Sequence, residues 1–163
     1  MATVNPALDT PTGLSNTQSV ADALNTSLAD CFALYLKTKN FHWHVSGPHF
    51  RDYHLMLDDQ AAQILGVTDA IAERVRKTGN LTLRSIGDVS RRQTIADNDA
   101  DFVDPYAMLA ELREDNLKLV EAFRAVKDAA EEAKDNATSG IVDEWTDEAE
   151  ERAWFLFEAS RKA

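Results

Sequence analysis

Apolar residues recur along this chain at steps of three and four. From Val20 to Trp43 they fall at Ala21, Leu24, Leu28, Cys31, Phe32, Tyr35 and Leu36, one buried helical stripe. This predicts a helix over roughly 17–45, capped by Ser15 or Thr17 and broken at Gly47-Pro48. A second stripe runs through Phe50, Tyr53, Leu57, Ala61, Ile64, Leu65, Thr68, Ile71, Ala72 and Val75 and closes at Gly79-Asn80. At about thirty residues that helix spans roughly 45 Å, a length typical of a bundle.

After a polar stretch, 81–100, with room for one short helix near 82–91, Asp104-Pro105 reads as an N-cap followed by proline at the first helical position. A third long helix follows through Met108, Leu109, Leu112, Leu119, Val120, Phe123 and Val126. Asp135 to Gly140 reads as an interruption, and Ile141 to Ser160, with Trp145, Trp154, Phe155 and Phe157, as the fourth helix. No segment alternates with period two. The pattern predicts an all-α four-helix bundle, with a short extra helix in the connection between helices two and three. Residues 1–163 form a single domain, with 1–16 expected as a flexible N-terminal tail.

Charge narrows the function. The chain has 28 acidic and 17 basic residues, a formal −11, and no Lys or Arg before Lys37. Binding to nucleic acid depends on a basic surface that displaces counterions from phosphates, and no basic N-terminal arm supplies one. Arg74, Arg76, Lys77, Arg84, Arg91 and Arg92 form a basic run, read in preference as ion pairs and solvated surface. No signal-peptide pattern or membrane-length apolar run occurs, so a cytoplasmic location is expected. The lone Cys31 lies among Leu28, Phe32 and Tyr35 and reads as a small buried hydrophobe.

All four histidines fall within FHWHVSGPHFRDYH, residues 41–54. On helix two, His54 and Asp58 are four residues apart, as are Asp69 and Glu73, so each pair shares a face. The two pairs are separated by roughly 22 Å along a straight helix, and one helix cannot bring both to one ion. Reflection about a point between Gln63 and Ile64, however, exchanges His54 with Glu73 and Asp58 with Asp69. If helix two packs antiparallel on its own copy across a two-fold axis there, each histidine pair faces the other chain's carboxylates, giving two equivalent sites. His42, at the end of helix one, is then within reach as a further nitrogen ligand. A histidine and carboxylate set without thiolate suits iron, manganese or zinc. The chain has no Glu-x-x-His, the signature that di-metal bundles place in their own cores, which argues against a site inside one bundle.

The string HWHVSGPHFRDYHLMLDDQ, followed by TDAIAERV, resembles the Dps family, the ferritin-like mini-ferritins of stressed prokaryotes. The likeness extends over nearly the whole chain: His42-Trp43 closing helix one, His54 twelve residues later, Asp-x-x-x-Glu-Arg at Asp69 to Arg74, the EAKDNAT stretch and Trp154-Phe155. It implies a ferritin-like fold and a homo-oligomer, a hollow shell of twelve copies, with metal sites at two-fold interfaces. The implied ligands are His42, His54 and Asp58 from one chain and Asp69 and Glu73 from its partner. Trp43 is implied near the site, either beside the metal or packing the interface. The implied activity is ferroxidase: Fe2+ is oxidised to Fe3+, preferably by hydrogen peroxide, and stored as mineral, protecting DNA from oxidative damage. Protons compete for imidazole ligands, so activity is expected to fall as pH drops through the range near about 6.5.

The resemblance gives His44 and His49 no ligand role, and His49 is expected in a loop. Relatives tend to carry an aspartate where this chain has Gly140, and Asp135, Asp143, Glu144 and Asp147 are expected to supply an acidic funnel for iron instead. Two other readings compete. One is a nucleoid-associated protein that coats DNA with little iron oxidation, against which the acidic charge and the lack of a basic tail both argue. The other is a plain helical dimer whose acidic positions are only surface.

Overall fold

A computed structural model describes residues 12–162. Five helices follow one another: α1 (Gln18–His44), α2 (Phe50–Lys77), α3 (Ile86–Arg92), α4 (Pro105–Glu132) and α5 (Asn136–Ser160). The four long ones form the expected all-α bundle, and α3 lies in the connection between the second and third of them. No strand occurs among the described residues. Helix α1 packs on α2 and α4, and α4 packs on α5.

The core is aliphatic, with Leu24, Leu28, Leu34 and Phe41 from α1, Leu57, Ile64 and Ile71 from α2, Leu112, Leu119 and Phe123 from α4, and Val142 and Leu156 from α5 all shielded from solvent. Burial of each such side chain contributes about 1.5–3 kcal/mol before entropy is charged against it. Cys31 is fully buried, and burial pushes its thiol up to about 12, so it stays a protonated core group.

Helix ends follow local chemistry. Asp104 accepts from the backbone N–H groups of Tyr106 and Ala107 at 3.0 and 3.3 Å, with Pro105 at the first helical position. Ser85 caps α3 by accepting from Asp88 N at 3.1 Å, so α3 begins at Ile86 and not near Thr82. Thr17 stands at the α1 N-cap without a side-chain cap bond; its Oγ1 donates to Thr78 O at 2.9 Å instead. Residues 1–11 of the expected tail lie outside the described residues, while Thr12 Oγ1 donates to Lys77 O at 2.8 Å.

The expected interruption at Asp135 to Gly140 is shorter. Helix α4 ends at Glu132 with Ala133 as its C-cap, Lys134 takes a left-handed conformation with φ 57°, and α5 begins at Asn136. Asp135 is the cap: it accepts from Thr138 N at 3.1 Å. Gly140 lies within the helix, and a Cβ there meets no atom within 4 Å, so it breaks nothing.

Leu36, Trp154, Phe155 and Phe157 also depart from their expected place inside a stripe: they are 59, 60, 46 and 41 % exposed. Polar groups take up part of the interior. Asp30, fully buried, accepts from Thr94 N, Thr94 Oγ1 and Ile95 N and so ties the α3–α4 connection to α1. Lys37 is buried against Asp115 at 2.7 Å and Glu111 at 3.0 Å, and Arg152 donates to Asn116 and Gln63 at 2.7 Å each.

Candidate metal centre

The last turn of α1 and the second turn of α2 meet beside the short 45–49 connection, where Gly47 turns the chain with φ 113°. His42 Nδ1 donates to the backbone carbonyl of His54 at 2.6 Å, and His54 Nδ1 donates to the carbonyl of His42 at 2.8 Å. A carbonyl only accepts, so both Nδ1 atoms carry their protons, and Nε2 is the atom of the neutral ring that offers a lone pair. The two rings stack at 3.8 Å with an 18° tilt. A ring N–H held by a backbone carbonyl is the usual way of fixing a metal-binding imidazole in orientation and tautomer. His42 is buried at 8 % exposure, and His54 is half-buried.

Asp58, one turn after His54, is exposed, with Oδ1 3.8 Å from His42 Nε2. The same oxygen accepts from Lys39 Nζ at 2.7 Å, and this bond holds the Asp58 carboxyl below its usual range. Lys39 was not expected from the sequence. Its signal is its place one turn before His42, the Lys-x-x-His spacing on α1.

Asp69 and Glu73 lie further along the same face of α2, both exposed, and neither bonds to another described residue. Among the described residues of one chain, no three His, Cys, Asp or Glu side chains are placed to hold a metal ion. On the line between the two pairs stand Ala62 and Leu65, both exposed, with exposed Asp59 and Gly66 to one side. Read along the helix it is His54, Asp58, Ala62, Leu65, Asp69, Glu73, and the reflection that exchanges the charged ends also exchanges Ala62 with Leu65.

Trp43 is 58 % exposed beside the histidines. His44 Nδ1 donates to Asn40 O at 2.8 Å, and His49 stands at the α2 N-cap position, so neither joins the stacked pair. Asp135 does not belong with the exposed acids of the expected funnel. It is 1 % exposed, paired with Arg74 at 3.1 Å and bonded to Thr138, a cap that joins α2 to α5. Arg91 is likewise paired with Asp88.

The ferritin-like domain family matches residues 21–162. DNA protection during starvation proteins from Halobacterium salinarum and Agrobacterium fabrum are similar in sequence, 33 % identical over 136 residues and 32 % over 148. These matches cover 83 and 91 % of this chain and 75 and 90 % of those relatives. The chain belongs to the Dps family of ferritin-like proteins.

The Dps fold extends through the described chain. DpsC from Streptomyces coelicolor superposes with a TM-score of 0.90 at 25 % identity, over 95 % of this chain and 92 % of that one. The archaeal Dps homologue from Halobacterium salinarum does so with 0.84 at 31 %, over 88 and 80 %. No helix among the described residues is long and apolar enough to cross a membrane.

Proposed function

We propose that this protein is a ferroxidase and iron store of the Dps kind, whose reaction centre forms only between two copies. The self-complementary α2 face carries the reading. When α2 packs antiparallel on a second α2, Ala62 and Leu65 cover one another at the centre, and the His54/Asp58 end of each chain meets the Asp69/Glu73 end of the other. One chain alone offers two fixed imidazole nitrogens and one carboxylate. The partner adds two carboxylates that lack other bonds. The ferritin-like domain match supports iron storage, and the relatives named for DNA protection during starvation support a protective role.

The donor set suits Fe(II) as substrate: two neutral nitrogens favour binding, and three carboxylates stabilise Fe(III) more strongly than Fe(II), which favours loss of an electron. Two Fe(II) each give one electron to hydrogen peroxide; the O–O bond breaks, and with two protons two waters form. The Fe(III) product is stored as mineral inside a hollow shell of twelve chains. Exposed Leu36, Ile86, Phe102, Trp154, Phe155 and Phe157 present more apolar surface than an isolated subunit needs, in keeping with such assembly.

Protection by consuming iron and peroxide requires no contact with DNA. Twelve copies of a −11 chain repel phosphate, and Arg74 and Arg91 of the basic run are already in ion pairs. Anaerobic Fe(II) loading followed by stoichiometric peroxide tests the reading. Rapid Fe(III) absorbance with soluble iron, lost in Asp69→Ala/Glu73→Ala, is expected. Oxidation no faster than buffer, ending in precipitate, overturns it. A gel shift across a salt series is expected to show no retention of DNA.

A further inference from the structure

Away from the histidines, the interior of the bundle holds a cation of its own. Arg152 of α5 is 3 % exposed. Its Nε donates to Asn116 Oδ1 of α4 and its Nη1 to Gln63 Oε1 of α2, each at 2.7 Å, and its charge acts on the buried Cys31 thiol of α1. Burial lowers the guanidinium to about 10, so it is charged at neutral pH. No carboxylate among the described residues pairs with it. A buried positive charge is held by neutral amides.

The groups around it are turned to present oxygen. A guanidinium only donates and a carbonyl only accepts, which sets the amide orientations. Asn116 donates its Nδ2 to Leu112 O at 2.8 Å, and Gln60, 6 % exposed, donates its Nε2 to Arg152 O at 3.3 Å. Gln60 Oε1 is then buried with no partner, and so is Oε2 of Glu148, one turn before Arg152 on α5. Bundles that hold two metals project carboxylates and histidines from their helices into the core. Three amides, one carboxyl group and a positive charge already in place do not fit such a centre.

We infer that the bundle core is an oxygen-lined cation site whose cation is the chain's own guanidinium, and that Arg152 keeps divalent metal out of the subunit interior. Amide and carboxyl oxygens suit hard ions such as Mn(II). With Arg152 in place, an incoming ion meets like charge in a core of low dielectric, where repulsion is strong. Without it, the same oxygens are left with no cation. This holds wherever iron is oxidised.

The test uses the full chain carrying Asp69→Ala/Glu73→Ala, so that the proposed shared centre does not contribute. Mn(II) is the probe, counted by loss of its free-ion paramagnetic resonance signal. Adding Arg152→Ser is expected to create one bound Mn(II) per chain, at least about tenfold tighter than any in the parent with Arg152, and to make the thermal midpoint rise with Mn(II). Glu148→Gln added to that chain is expected to remove both effects, which an arginine that only packs the core would not produce. Arg152→Gln, which keeps an amide donor for the neighbouring oxygens, carries the same expectations where the serine chain does not fold. A folded variant of either kind without Glu148-dependent Mn(II) overturns the inference, and so does equally tight Glu148-dependent Mn(II) in the parent.

Discussion

The two ends of the α2 face are prepared in different ways. At the N-terminal end, His42 and His54 fix one another through reciprocal bonds to backbone carbonyls, and Asp58 is held by Lys39. At the C-terminal end, Asp69 and Glu73 stand in solvent with no described partner. The ligands hardest to orient, imidazoles with two tautomers and a rotating ring, are locked within one chain. Carboxylates, which accept a metal from many directions, are the groups that the proposed centre takes from a second chain. The histidine end is a product of folding; in the proposed centre the other half is supplied by assembly.

The largest expected effect comes from the solvent-facing end. Asp69→Ala/Glu73→Ala is expected to reduce iron oxidation to the buffer rate while moving folding stability by no more than about 0.5 kcal/mol, because neither side chain has a bond to lose. His42→Ala is expected to abolish oxidation as well, but with a measurable fall in thermal midpoint, since it opens a buried site and strips the carbonyl of His54 of its donor. Equal stability losses at the two ends would erase the contrast.

Next is the Ala62 and Leu65 centre. Leu65→Glu places a carboxylate opposite Ala62 of the second copy and close to its own symmetry mate, so light scattering is expected to show smaller species and iron oxidation to fall with them, while circular dichroism stays that of the folded bundle. Smaller again is the brace behind Glu73. Arg74→Ala leaves Asp135 buried and without its cation, and is expected to cost about 3 kcal/mol in chemical denaturation.

The smallest effect lies away from the seam. Burial raises the Glu148 carboxyl above its usual range, and one of its oxygens is buried without a partner. A raised folded-state value means that the protonated form is favoured in the fold. Its contribution is fully present at low pH and is lost as pH rises through the folded value. Glu148→Gln is therefore expected to raise stability slightly at neutral pH, by about 1 kcal/mol at most, with the gain vanishing in acid.

Much of this was legible before folding. The Asp104-Pro105 start is local chemistry, and so is the Gly79 stop, where φ of 83° suits glycine. The placement of His54, Asp58, Asp69 and Glu73 on one face follows from the helical period alone. What the sequence misjudged depends on partners distant along the chain. Asp135 looked like a surface acid of a broken segment, yet Arg74 and Thr138 make it a buried cap. Leu36, Trp154 and Phe155 fit a helical stripe, but period does not say which neighbour covers it, and within one chain none does. The reciprocal histidine bonds and the Lys39 pair needed the α1–α2 crossing to be known in three dimensions.

The central claim is that each reaction centre takes its nitrogens from one chain and two of its carboxylates from another. Co-expression of a His42→Ala/His54→Ala chain with an Asp69→Ala/Glu73→Ala chain, each inactive alone, tests this most directly. Random pairing leaves about one site in four with intact contributions from both sides, so recovery to about a quarter of wild-type iron oxidation is predicted. Mixed assemblies as inactive as their parents would show that all five ligands must come from one chain, and would contradict the account.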